Sequence, residues 1–306
     1  MKTNFIKSTL LNGYLASCTV AMLMIGLSRL VLSNAGSSGI IIFSEFVILP
    51  ILMGIISAWF WRNLGLTGKE LTLNAVWNSS LAIGLSSVFL GEGFICLIIV
   101  SPLIAGFMIA GAFIGRRMFD RKNQKLNVSV FSLLFFVFLG DSLSEHHYQN
   151  LVADEIVINA CPEEVWKHVV SFEKIKAENN YWLFKIGMPS PIQTTVEGNY
   201  LGAGRKCIFS NGYVFDEKIV TYKPARNLTF DIVKQPLDPE IMGHINILRG
   251  QFLLKDNGDG TTTLTGNSWY SLHVFPIWYY DIWAKSITRN VHLRVMDHIR
   301  ELSEKR

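Results

Sequence analysis

Glu217 is the carboxylate best placed to do chemistry in this chain. It stands in the run Tyr213–Tyr222, whose alternation puts Tyr213, Phe215, Glu217 and Ile219 on one face of a strand. Turned inward among apolar neighbours, such a carboxyl has a raised pKa and can act as a general acid or base. Turned outward it is solvated, and Val214 and Val220 face the interior instead. Other reactive residues give little. Adjacent His146 and His147 cannot share one ion without strain, and no His-Glu-x-x-His or comparable spacing occurs. Cys18 and Cys96 lie in apolar runs, and Cys161 and Cys207 form an isolated pair without metal spacing. No metal and no cofactor is expected. There is no Gly-x-Ser-x-Gly elbow and no glycine-rich phosphate loop, and Gly202-Ala203-Gly204 reads as a turn. His273, between the last strand and the terminal helix, is the histidine best placed to meet a ligand. His292 and His298, on that helix, are expected at its surface.

The aromatic residues say more. Tyr181, Trp182 and Phe184 form one group, Trp269 and Tyr270 a second, and Phe275, Trp278, Tyr279, Tyr280 and Trp283 a third. Three readings stay open: the lining of an apolar ligand cavity, an ordinary core, or an interfacial belt touching a bilayer. The expected ligand-binding set is Trp182, Phe184, Phe215, Glu217, Trp269, His273, Tyr280, Trp283 and Ile287. No catalytic residue is assigned.

The elements that must position these residues lie in residues 151–306. A β-rich run, 154–160, ends at Cys161-Pro162, and Pro162 with Glu163 and Glu164 opens a short helix. Strand candidates follow at 193–197, 206–210, 213–222, 227–234, 247–255 and 261–270, with Asn211-Gly212 and Asp256–Gly260 as hairpin turns. From Pro276 to about Glu304 apolar residues recur at three or four: Tyr280, Trp283, Ile287, Val291, Val295, Ile299 and Leu302. The order predicts an α+β helix-grip domain, a curved antiparallel sheet whose concave face is covered by a long C-terminal helix.

The other half is a different material. The chain has 306 residues, 28 basic and 24 acidic, for a net charge of +4; half of it is apolar and 17% is charged. Soluble domains carry about 25% charge. A disordered chain and a nucleic-acid binder are disfavoured, the latter because no basic stripe crosses a domain. Residues 1–150 hold ten Lys/Arg and six Asp/Glu, so all the excess charge sits in the apolar half. Five hydrophobic spans are expected there, at 10–32, 40–61, 71–90, 94–115 and 126–141, within a transmembrane domain 1–145. A crossing needs about 20 apolar residues, and the fifth is the weakest. Lys2, Lys7, Arg62, Lys69 and the cluster Arg116–Lys125 mark the cytoplasmic side. That places the N-terminus in the cytoplasm and, after five crossings, the C-terminal domain on the outer face. If 126–141 does not cross, the domain is cytoplasmic. Arg29, Glu45 and Glu92 are the intramembrane polar candidates, as a functional site or as a snorkelling structural clip.

Ile158–Trp166, Tyr222–Leu228, Gly250–Leu254 and Asp259–Leu264 together resemble the SRPBCC or START-like superfamily of polyketide cyclase and lipid-transfer type domains. The segment Gly91–Cys96 with Pro102 is similar to multi-span segments fused to such domains in uncharacterised bacterial proteins. The resemblance implies fold rather than activity, since the superfamily holds enzymes, carriers and sensors. The expected function is non-catalytic binding of a hydrophobic or lipid-like small molecule at the bacterial inner membrane, with the bilayer itself as a partner. The alternatives are a cyclase- or hydratase-like enzyme using Glu217, or an interaction module whose interior is filled by its own side chains.

Overall fold

The chain makes two units, one of residues 1–146 with 273–276 and one of 147–272 with 277–306. A computed structural model of the protein describes residues 2–34, 44–90, 93–119, 148–178, 180–236, 245–274 and 276–305.

The first unit is helical: α1 (Lys2–Asn34), a π-helical turn (Ser44–Ile48) running into α2 (Leu49–Trp61), α3 (Gly68–Leu90) and α4 (Phe94–Met118). Thr67 and Glu70 form a reciprocal capping box that starts α3. Small residues set the crossing of α2 and α4. A Cβ on Gly54 would lie 2.3 Å from the Met108 carbonyl oxygen, and one on Gly111 would lie 2.2 Å from the Ile51 carbonyl oxygen. Its interior is an apolar core of Leu49, Leu52, Met53, Ile56, Trp61 and Met108 that encloses a small polar cluster, and many of its outward residues are apolar too. Ser17, Ser57, Asn78 and Ser79 are buried, and the Asn78 amide donates to Ser17 Oγ at 2.9 Å and Ser57 Oγ at 2.8 Å. Leu11, Leu15, Leu23 and Leu27 of α1, with Leu73, Trp77, Val88 and Phe89 of α3, are exposed.

The expectation of a multi-span bundle is corrected here. Among the described residues two helices, Ile6–Leu27 and Phe94–Met118, are long and apolar enough to cross a membrane. The second expected span contains an apolar helix of only 16 residues, Phe46–Trp61, or about 24 Å at 1.5 Å per residue. The third is diluted by Asn74, Asn78, Ser79, Ser80, Ser86 and Ser87. The fifth, 126–141, and Glu92 lie outside the described residues, as do the side chains of Arg29 and Glu45.

In the second unit seven strands form one antiparallel sheet in the order β1-β7-β6-β5-β4-β3-β2. They are β1 (Tyr148–Ile158), β2 (Pro191–Val196), β3 (Gly204–Phe209), β4 (Val214–Lys223), β5 (Asn227–Lys234), β6 (Ile245–Asp256) and β7 (Thr262–Leu272). The long connection from β1 to β2 carries α5 (Pro162–Val170) and α6 (Trp182–Lys185), and α7 (Ile277–Ser303) closes the chain. Register shifts in β2, β4 and β6 bend the sheet. Asn211-Gly212 makes the β3–β4 hairpin, with Gly212 at φ +86°. The C-terminal half of α7 is seated on the concave face, where Val295, Met296 and Ile299 pack with Ile158, Leu228, Phe252, Leu254 and Leu264. At that end the interior is filled by side chains. Arg294 fastens α7 to the β1–β2 connection by donating to the carbonyls of Pro191, Glu178 and Ala177.

Candidate ligand site on the concave face

Strand alternation decides what faces α7. On β7 the even positions Leu264, Gly266, Ser268 and Tyr270 point to the concave face, so Trp269 stands on the opposite one. The expectation for Trp269 is therefore corrected: parity places its neighbour Tyr270, fully buried, on the inner surface. On β4, Phe215, Glu217 and Ile219 are the buried positions, which resolves the two readings of Glu217 in favour of the inward one.

Glu217 is not a free acid. Arg205, opposite it on β3, is buried with it and bonds its carboxylate directly. The same guanidinium donates to the Val170 carbonyl at 3.1 Å and lies 4.4 Å over the Phe230 ring. Burial pushes the Glu217 carboxyl up from its ordinary range, and Arg205 opposes that rise. Cys207, next on the same face of β3, has its thiol pushed up by burial and by the Glu217 charge, so it is a poor nucleophile.

A second polar group lies under the first turns of α7. Asp281 accepts from Tyr270 Oη at 2.5 Å and Asn150 Nδ2 at 2.9 Å, and pairs with Lys285 at 2.7 Å. Burial works against its ionisation, but these donors together hold its carboxyl below the usual range. A third joins three elements: Ser268 Oγ lies 2.7 Å from His292 Nε2, and His292 Nδ1 lies 3.0 Å from Asp154 Oδ2. His292 and His298 are both buried, contrary to the expected surface position; His298 Nε2 lies 3.1 Å from the Glu173 carbonyl.

The aromatic residues gather where α6 meets the first turns of α7. Trp182 and Trp283 meet edge to face at 6.3 Å, Tyr181 meets Phe184 at 5.1 Å, and Tyr181 Oη lies 3.0 Å from Ser286 Oγ. Phe184 and Tyr280 are buried, Trp283 and Ile287 half-buried, while Trp182, Trp278 and Ile282 are exposed. Phe215 packs deeper, against Phe209 at 5.0 Å. His273 lies in the segment 273–276 that belongs to the first unit, not to the grip.

Sequence reasoning missed Arg205, Asp154, Ser268, Asp281 and Asn150, placed His292 at the surface, and named Tyr270 only within an aromatic group. A usable signal existed for one pair: Arg205 and Glu217 flank a hairpin at Asn211-Gly212, and antiparallel register places two such residues opposite each other.

Sheet, bulges and closing helix define an α+β helix-grip unit. No family model and no curated protein matches the sequence. Solved structures similar to this half of the chain include a truncated norcoclaurine synthase from Thalictrum flavum, 10% identical over 53% of this chain and 98% of that one, with a TM-score of 0.38. A protein from Nitrosospira multiformis is 16% identical over 50% of this chain and 94% of its own, at a TM-score of 0.34. One from Mesorhizobium loti is 15% identical over 50% and 96%, also at 0.34.

Proposed function

We propose that this is an integral membrane protein whose helix-grip unit binds a hydrophobic or lipid-like small molecule at the membrane surface. The observation that carries the reading is the aromatic rim of α6 and the first turns of α7, where Trp182, Trp278 and Ile282 stay exposed beside Trp283 and the buried Phe184 and Tyr280. Apolar rims with a few convergent polar groups are the usual make-up of small-molecule sites. Here the polar anchor is the Tyr270–Asp281–Asn150 network. Because the C-terminal half of α7 is packed against the sheet, the proposed ligand is assigned to the aromatic rim along its first half, beside the half-buried Trp283 and Ile287. Burying its apolar surface would contribute roughly 25 cal/mol per Å².

Membrane insertion is supported by the apolar exterior of the first unit and by its two helices long and apolar enough to cross a bilayer. Its serines and Asn78 bond one another inside while leucines and aromatics face outward, the pattern of helices solvated by lipid. Anchoring beside the bilayer raises the effective concentration of a ligand drawn from it.

Native mass spectrometry of the full-length protein in mild detergent tests this. The expected result is a population carrying one lipid-mass adduct, reduced in Trp283→Ala while the folded charge-state distribution is kept. Recovery of only empty protein from wild type overturns the reading.

A further inference from the structure

We propose that Ser268, His292 and Asp154 form a nucleophilic triad that takes the acyl group of a small apolar ester. Three separate elements deliver the three groups. Ser268 is on β7 between Val152 of β1 and Gly250 of β6, Asp154 is on β1, and His292 is on α7. The hydroxyl–imidazole and imidazole–carboxylate distances, 2.7 and 3.0 Å, are those that a nucleophile, its base and the base's orienting group require.

The tautomer follows from the partners. The Asp154 carboxylate can only accept from Nδ1–H, which leaves the Nε2 lone pair for the serine proton. Burial also lowers the pKa of His292 and favours the neutral ring that a base must be. Arg289 Nε, 3.4 Å from the other Asp154 oxygen, adds a cation beside the carboxylate.

Glycines let neighbouring side chains close in around Ser268. A Cβ on Gly266, two residues before Ser268, would lie 2.8 Å from Met296 Sδ, so the Met296 side chain closes on the strand there, with His292 Cγ in ordinary contact at 3.7 Å. A Cβ on Gly250, opposite Ser268, would lie 2.5 Å from the Phe230 ring. The Phe230 ring thus occupies the position over Gly250 and walls the neighbourhood of the hydroxyl with apolar surface, the chemistry an apolar acyl group would match.

In the reaction Ser268 Oγ bonds the ester carbonyl carbon as its proton passes to His292 Nε2. The bond from that carbon to the alkoxide oxygen breaks, and His292 returns the proton to the departing alcohol. Water then attacks the acyl-serine through the same base, releasing the carboxylic acid and restoring Ser268. Since β7 is flanked on both sides, its amides are committed to the ladder and offer no oxyanion hole. Acylation is therefore expected to be slow and best read as covalent capture.

The full-length protein in detergent is treated with a fluorophosphonate and with p-nitrophenyl acetate. Peptide mass spectrometry should find the adduct on Ser268. Labelling should vanish in Ser268→Ala and slow about a hundredfold in His292→Gln, the size of a general-base contribution. Asp154, as a positioning residue, is read by NMR: Asp154→Asn should abolish a solvent-protected downfield imidazole proton. An unmodified Ser268 in folded wild type, or equal labelling of wild type and His292→Gln, overturns the triad and leaves these residues as a clamp between α7 and the sheet. Neither outcome bears on lipid retention in native mass spectrometry, so the two proposals fail separately.

Discussion

Removing the guanidinium from beside Glu217 leaves a carboxyl that burial has already pushed up and that nothing then opposes. Breaking one partner of a buried ion pair costs about 3–5 kcal/mol, whereas replacing both by apolar groups of similar volume is near neutral. Arg205→Met is therefore expected to lose about that much in urea unfolding followed by tryptophan fluorescence, and Arg205→Met with Glu217→Leu to recover most of it. The sign with pH follows. An acid whose folded pKa is raised contributes most at low pH, so the single variant should lose stability as pH rises above the unfolded carboxylate value of about 4.3. A pH-independent loss, or a double variant as weak as the single, would show that the pair does not behave as a coupled buried unit. The inward face of Glu217 was half legible, because alternation alone leaves two parities open. Its partner Arg205 leaves no local pattern, because only the β3–β4 register brings the two side chains together.

At the scale of the element, α7 explains why the polar site stayed hidden. The apolar stripe in its sequence runs through Tyr280, Trp283, Ile287 and Val291, but after the buried Tyr280 the buried stripe of its first half runs through Asp281, Ala284, Thr288 and His292. The two are offset by about one position, roughly 100° around a helix. Hydrophobic periodicity thus found the helix, and it found its C-terminal packing at Val295 and Ile299. It pointed the first half the wrong way, because a face that buries hydrogen-bonded polar groups leaves no apolar trace. In the first unit the overlooked signal was short-range: Gly111 and Gly115 of α4 are four apart, and Gly115 closes on Ala58 and Ile55 of α2. Small residues at that spacing let helix backbones approach closely. Gly111→Leu would drive a side chain into the Ile51 carbonyl and should separate α2 from α4. The expected readout is aggregation or a broadened elution profile in detergent, with Gly106→Leu, where an added Cβ meets nothing within 4 Å, behaving as wild type. Normal elution of the Gly111 variant would mean the crossing is not tight.

For the whole molecule, the membrane reading proposed above makes the number of crossings decide which compartment the helix-grip unit would meet, and with it the source of any ligand. An even number returns the second unit to the side of Lys2 and Lys7; an odd number places it opposite, which requires residues 126–141 to cross. The concentration of positive charge at 116–125 favours a cytoplasmic position for that connection, and so an outer-face domain if one further crossing follows. The cysteines supply a direct assay. Cys161, just before α5, is exposed, whereas Cys18 is buried and Cys96 and Cys207 are only partly accessible. On the proposed outer-face placement, a membrane-impermeant maleimide labels wild type in intact cells and fails to label Cys161→Ser. Labelling that appears only after permeabilisation would put the domain in the cytoplasm. The ligand would then have to come from the inner leaflet or the cytosol, because a site fixed beside one face draws only on what reaches that face.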